Sequence, residues 1–82
     1  MLRVSDNDFA AEETDDPHVA DKRGFHKIEQ WSADGQRIVR LLHAGNRIDR
    51  ARDGFGQQVR HRPGRRYTIR QGIRVLRKWP RE

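Results

Sequence analysis

The division of charge along this chain sets the first limit on what it can fold into. Residues 1–22 hold seven acidic side chains, Asp6, Asp8, Glu12, Glu13, Asp15, Asp16 and Asp21, against Arg3 and Lys22, a net of −5. Residues 23–82 hold 16 Lys or Arg against Glu29, Asp34, Asp49, Asp53 and Glu82, a net of +11. A segment so acidic and so poor in apolar residues cannot bury enough surface to offset the roughly 1–2 kcal/mol of backbone entropy lost per ordered residue. The leader 1–22 is therefore expected to be disordered. A short helix around 9–14, started by Ser5 or Asp6, would not hold alone. That leaves 23–82 as a single basic domain.

A domain of about 60 residues buries only about 60% of the surface its unfolded chain exposes, so its core is thin. The chain has no cysteine, and neither a disulfide framework nor a thiolate zinc site can compensate. A partner or a second copy of the chain is the remaining way to enlarge the core, and the expected state is a homo-oligomer. The first twenty residues lack the apolar run of a signal peptide, and no stretch approaches the roughly 20 apolar residues of a membrane span. The expected location is the cytoplasm, without membrane contact.

Turn residues divide the basic domain. Asp34-Gly35 favours a two-residue turn between a segment with Phe25, Ile28 and Trp31 and one with Ile38, Val39, Leu41 and Leu42, which predicts a hairpin. That register sets Trp31 opposite Ile38, Glu29 opposite Arg40, Ile28 opposite Leu41 and His26 opposite His43. A helical reading of Phe25–Trp31 stays open, because Phe25, Ile28 and Trp31 or Ser32 also share one helical side. Asn46, with Asp49 three residues on, resembles a helix cap. Ile48, Ala51, Phe55 and Val59 then recur at three- and four-residue steps as one apolar stripe, ended by Pro63-Gly64. Gly54 and Gly56 interrupt this helix at about 1 kcal/mol each, so either it is weak there or something approaches closely.

Beyond Pro63, Tyr67, Thr68 and Ile69 and then Val75, Leu76 and Trp79 flank Gln71-Gly72, which predicts a second hairpin stopped by Pro80. A three-residue loop pairs Ile69 with Val75 and a two-residue loop pairs it with Arg74. The resulting fold class is α+β: a small two-layer ββαββ sandwich, one helix on a four-stranded, mainly antiparallel sheet. The far sheet face is left open, with Phe25, Trp31, Ile38, Leu42 and Trp79 as its expected interface residues.

The run Ile28-Glu29-Gln30-Trp31 with Asp34-Gly35, the helix of Ala51, Phe55 and Val59, and the stretch from Arg62 through Leu76 together resemble a class of short, uncharacterised, Arg-rich bacterial proteins with a ββαββ pattern. The likeness spans roughly residues 25–76. It implies the same fold and brings no activity or cofactor with it.

Two basic groups are the candidate phosphate-binding residues. Arg60, Arg62, Arg65 and Arg66, with His61 among them, crowd the helix end and the strand that follows. Arg70, Arg74, Arg77 and Lys78 lie on the last hairpin, near Tyr67 and Trp79, whose rings could stack unpaired bases. Guanidinium forks suit phosphate geometry, and such clusters bind nucleic acid through counterion release. The plain explanation is also physical: cations complement the dipole at a helix C-terminus, and a solvated basic loop needs no ligand. The excess of 15 Arg over 3 Lys can also arise from a biased genome.

Catalysis finds no support. There is no Gly-x-Ser-x-Gly turn, no thiol and no Gly-rich phosphate loop, and the acid pairs fall in the leader. The four histidines, His18, His26, His43 and His61, show no helical ligand spacing, so no metal and no cofactor is expected. The expected function is a small non-enzymatic protein that contacts nucleic-acid phosphates through its arginines, with the acidic leader modulating affinity. The alternative is a protein-interaction or regulatory module that binds an acidic partner, or a homo-oligomeric structural protein, using the open sheet face.

Overall fold

Which strand occupies the middle of the sheet follows from which segment can be buried on both sides. In the computed structural model, which describes residues 12–81, that segment is β1, His26–Trp31, with four consecutive buried residues from Lys27 to Gln30. β2 (Ile38–Gly45) pairs with one edge of β1 and β3 (Arg66–Gln71) with the other; β4 (Arg74–Trp79) closes the order β2-β1-β3-β4. Every pairing is antiparallel. One long helix, Ile48–His61, crosses the sheet between β2 and β3, so the ββαββ sandwich expected from the sequence is the fold.

That helix packs its Ile48, Ala51, Phe55 and Val59 stripe against Ile28, Tyr67 and Ile69. Phe55 meets Tyr67 edge-on, with ring centroids 6.5 Å apart at 75°. The cap differs from expectation: Arg47 occupies the N-cap with no side-chain cap bond, and Asn46 instead accepts from Glu12 N–H and donates its own N–H to Glu12 O. Asn46 holds a neighbouring strand segment, which leaves Asp49 to bind Arg47 and the Arg50 amide at the helix start.

The two helical glycines divide into different cases. A Cβ on Gly54 would sit 2.9 Å from Cδ1 of the fully buried Ile28, so the helix and sheet touch there. A Cβ on Gly56 would meet only the Arg60 guanidinium, at 3.2 Å, which can swing away. Gly56→Ala is therefore expected to raise stability by up to about 1 kcal/mol through helix propensity, whereas Gly54→Ala forfeits that gain to overpacking against Ile28. Urea midpoints of the two variants check this, and equal shifts would remove the packing explanation for Gly54.

The expected hairpin registers are corrected. Trp31 does oppose Ile38, but bulges on either side of Glu29-Gln30 set Glu29 against Leu41, Gln30 against Arg40, Ile28 against His43 and His26 against Gly45. The loop is longer than the two residues foreseen: Ser32 N–H bonds Arg37 O, and the Asp34 carboxylate accepts from Ser32 Oγ and Gln36 N–H within it. In the second hairpin, Gly72 and Ile73 form a two-residue loop with a positive φ at Gly72 alone, the pattern of a II′ turn. A bulge then sets Ile69 against Arg77, in place of both pairings considered.

The leader boundary moves as well. Residues 1–11, which hold half of the possible 9–14 helix, lie outside the described residues; the other half, 12–14, is not helical, and residues 12–22 are folded. Glu13 bridges to Gly45, Thr14 N–H bonds Ala44 O, and Pro17–Lys22 forms a helix capped by Asp16. We call this helix α1 and the long one α2. Six residues do not hold as an isolated helix. Tertiary contact stabilises α1: Ala20 is completely buried on Phe25 and Ala44, and Arg23 lies over the Phe25 ring.

The sheet face under α1 is accordingly not an open apolar surface. Its middle holds a chain of alternating charges, Asp21–Lys27–Glu29–Arg70, in which Lys27 and Glu29 are buried. Arg70 grips Glu29 with two bonds of 2.7 and 2.9 Å, and Lys27 Nζ lies 2.5 Å from Asp21 and 3.5 Å from Glu29. The hydrogen bond from Lys27 holds the Asp21 carboxyl below its ordinary value. A folded-state pKa lower than the unfolded one adds stability that is complete above the unfolded value and lost as pH falls through the folded one. Stability followed by circular dichroism is thus expected to fall below about pH 4, with a shallower decline in Asp21→Asn. An unchanged profile in that variant would place the acid sensitivity at Asp34 or Asp49, whose carboxyls Ser32 and Arg47 also hold low.

Candidate functional site

The eight candidate phosphate-binding residues do not share one surface. Arg70 is committed to Glu29, and that pairing holds its own pKa above the ordinary arginine value. Arg66 donates its Nε–H to Ala33 O at 2.7 Å, bracing the β1–β2 loop. Arg62 and Arg65 are exposed in the turn after α2, where Arg62 O accepts the Tyr67 hydroxyl. Arg74 closes the tip of the β3–β4 hairpin. Arg60 and Arg77 come together.

They do so because of two local geometries. The last turn of α2 projects Arg60 beside the sheet, where a cation complements the helix C-terminus. Strand alternation in β4 then turns Arg77 and Trp79, opposite Ile69 and Tyr67, towards α2, while Lys78 opposes Thr68 on the other face. Between α2 and β4 lies an open groove of about 760 Å³. Phe55, Gly56 and Val59 form its helix side, Trp79 its strand side, and Arg60, Arg77 and Arg81 its rim, with Lys78 bordering it from the far face of β4. The sequence reading missed Arg81, which follows the strand-ending Pro80, and the part of the floor made by Phe55 and Val59, which it assigned to the helix's apolar stripe. A basic residue beyond a strand end has no periodicity to place it.

Among the described residues, no carboxylate lines this groove, and Arg60, Arg77, Lys78 and Arg81 form no ion pair. Four acids are paired elsewhere: Glu12 with Arg23, Glu13 with Arg50 at 3.4 Å, Asp21 with Lys27, and Asp49 with Arg47. The folded part of the leader thus holds Arg23, Lys27 and Arg50 and bridges to the β2 edge. β4, at the opposite edge of the sheet, keeps its positive charge.

The aromatic and apolar candidates are also redistributed. Tyr67 is 1% exposed and cannot stack on a base. Trp79 remains half-buried at the groove, its ring held by an indole N–H bond of 2.9 Å to Pro63 O. Of the five expected interface residues, Phe25 is buried under α1, and Leu42 and Trp79 pack against the α2 core. Trp31 and Ile38 stay on the other face, where the Trp31 indole donates to Thr68 Oγ1 at 2.8 Å. The shared open patch is thus corrected to a remnant of Trp31, Ile38 and Val75, since bulges and the ionic chain take the remaining positions.

His26 and His43 do not oppose each other. Each leaves one buried ring nitrogen without a hydrogen bond, Nδ1 of His26 and Nε2 of His43. No group of three or more potential metal ligands occurs among the described residues. No helix among them is long and apolar enough to cross a membrane. The fold and groove define a small α+β protein with an arginine-rimmed groove at one edge of its sheet. Compared with known protein families, curated proteins and solved structures, the chain matches none.

Proposed function

We propose that this is a non-enzymatic nucleic-acid-binding protein whose contact surface is the groove between α2 and β4. The observation that carries the reading is the gathering of Arg60, Arg77 and Arg81, none of them ion-paired among the described residues, around an apolar floor, at the edge of the sheet opposite the one that Glu13 bridges. Guanidinium groups without carboxylate partners keep their full donor capacity for phosphate. The exposed Arg62 and Arg65, in the turn after α2, add to the local positive potential and to the rate of encounter with a polyanion. Residues 12–22 do not reach the groove, so modulation of affinity by the leader belongs to residues 1–11, outside the described part of the chain.

Binding of labelled oligonucleotides across a salt series tests the proposal. Three phosphate contacts give a slope of about −2 in log affinity against log salt for a single strand, or about a 20-fold loss between 50 and 200 mM. Arg60→Ala combined with Arg77→Ala is expected to reduce that slope by about 1 to 2 while leaving the thermal midpoint unchanged, because both side chains are exposed. Undetectable binding by the full chain at 50 mM salt would end this reading.

A further inference from the structure

Resting on that reading, we propose that the groove takes an unpaired strand, with a base against Trp79 and its phosphates on Arg60, Arg77 and Arg81, in preference to a duplex. The groove is concave, with Phe55, Val59 and Trp79 at its base and the cations on its rim. A duplex keeps its bases stacked inside and presents phosphates on a convex surface, so it would meet the rim and leave the floor empty. An unpaired strand can turn a base inward onto an aromatic ring while its backbone stays at the rim.

The remaining surface of α2 does not offer a duplex a better footing. Its outward flank intersperses Asp49 and Asp53 with Arg47, Arg50 and Arg52, and both Arg47 and Arg50 already bind carboxylates. Phosphates laid along that flank would meet negative charge. The groove itself is prepared. The bond to Pro63 O fixes the Trp79 ring before any ligand arrives, so little side-chain entropy remains to be lost. The bare backbone at Gly56 lets the Arg60 guanidinium lie back along the helix, where a Cβ would come within 3.2 Å of it.

The test compares a ten-nucleotide thymidine strand, a mixed-sequence single strand of equal length and a ten-base-pair duplex by fluorescence anisotropy, using the full chain at 50 mM salt. Single strands are expected to bind at least 10-fold tighter than duplex. Trp79→Leu should weaken single-strand binding by about 5- to 100-fold, while Trp79→Phe, which retains a ring, should keep most of it. Circular dichroism checks that both variants fold. Independently of either variant, tryptophan fluorescence of Trp31→Phe, in which Trp79 is the sole indole, should be quenched by single strand and not by duplex. Duplex affinity equal to or above that of single strand, or absent quenching, would overturn the inference and leave the nucleic-acid reading standing. Failure of every oligonucleotide to bind would overturn both.

Discussion

Replacing Glu29 by Gln is expected to cost about 3–5 kcal/mol, the largest loss for any isosteric change in this protein. The Glu29 carboxylate is 3% exposed and neutralises two cations, Arg70 through two short bonds and Lys27 at 3.5 Å. An amide in its place accepts one bond, repels the rest, and leaves Lys27, itself 1% exposed, with only the half-exposed Asp21. A domain of this size has on the order of 4–10 kcal/mol in total, so the variant should begin unfolding near room temperature. Urea denaturation of Glu29→Gln measures the loss. The triple variant Lys27→Met, Glu29→Leu, Arg70→Met is expected to be at least as stable as the parent, because it removes charge desolvation along with charge attraction. A Glu29→Gln midpoint equal to that of the parent would show that the ionic chain does not hold α1 to the sheet.

Phe55→Ala should cost a comparable amount, about 3–5 kcal/mol, by emptying the centre of the other face. Phe55 is 5% exposed and meets the Tyr67 ring edge-on within the core beneath the helix. The nearby residues are a helix backbone pinned against Ile28 at Gly54 and a Tyr67 held by its bond to Arg62 O, so the cavity cannot close by collapse. Phe55→Leu, which keeps most of the volume, should lose roughly 1 to 1.5 kcal/mol. Thermal unfolding separates the two variants. Similar midpoints would mean that the ring contributes no specific packing. Because Phe55 also lines the groove, loss of oligonucleotide binding in Phe55→Ala would follow from the fold and would not count for or against the function.

Residues with strong local chemistry made much of this fold legible. The Ile48, Ala51, Phe55, Val59 stripe, the Pro63-Gly64 stop and the apolar runs beside Gly35 and Gly72 each depend on near neighbours in the chain, and each element is present. α1 was missed even though its punctuation was in view. Asp16 as cap, Pro17 at the first helical position and Gly24 beyond the end are the standard boundary signals. Composition outweighed them, because nothing nearby in sequence shows that Ala20 meets Phe25 and Ala44. The candidate site was legible in kind and not in membership. Basic residues at the helix end and last hairpin were visible, but Arg70 could not be separated from Arg77 without knowing which strand lies beside β3.

Charge distribution, turn chemistry and helical period, all readable along the chain, established an Arg-rich ββαββ domain with one buried helical stripe. Packing settled which cations remain available. β1 lies between β2 and β3, and this brings Glu29 within reach of Arg70 across 41 positions of sequence. The same arrangement puts Glu12 and Glu13 at the far edge from β4. Electrostatic pairing depends on separation in space, which local pattern does not encode, and so the groove between α2 and β4 is cationic for a reason visible only once the sheet is assembled.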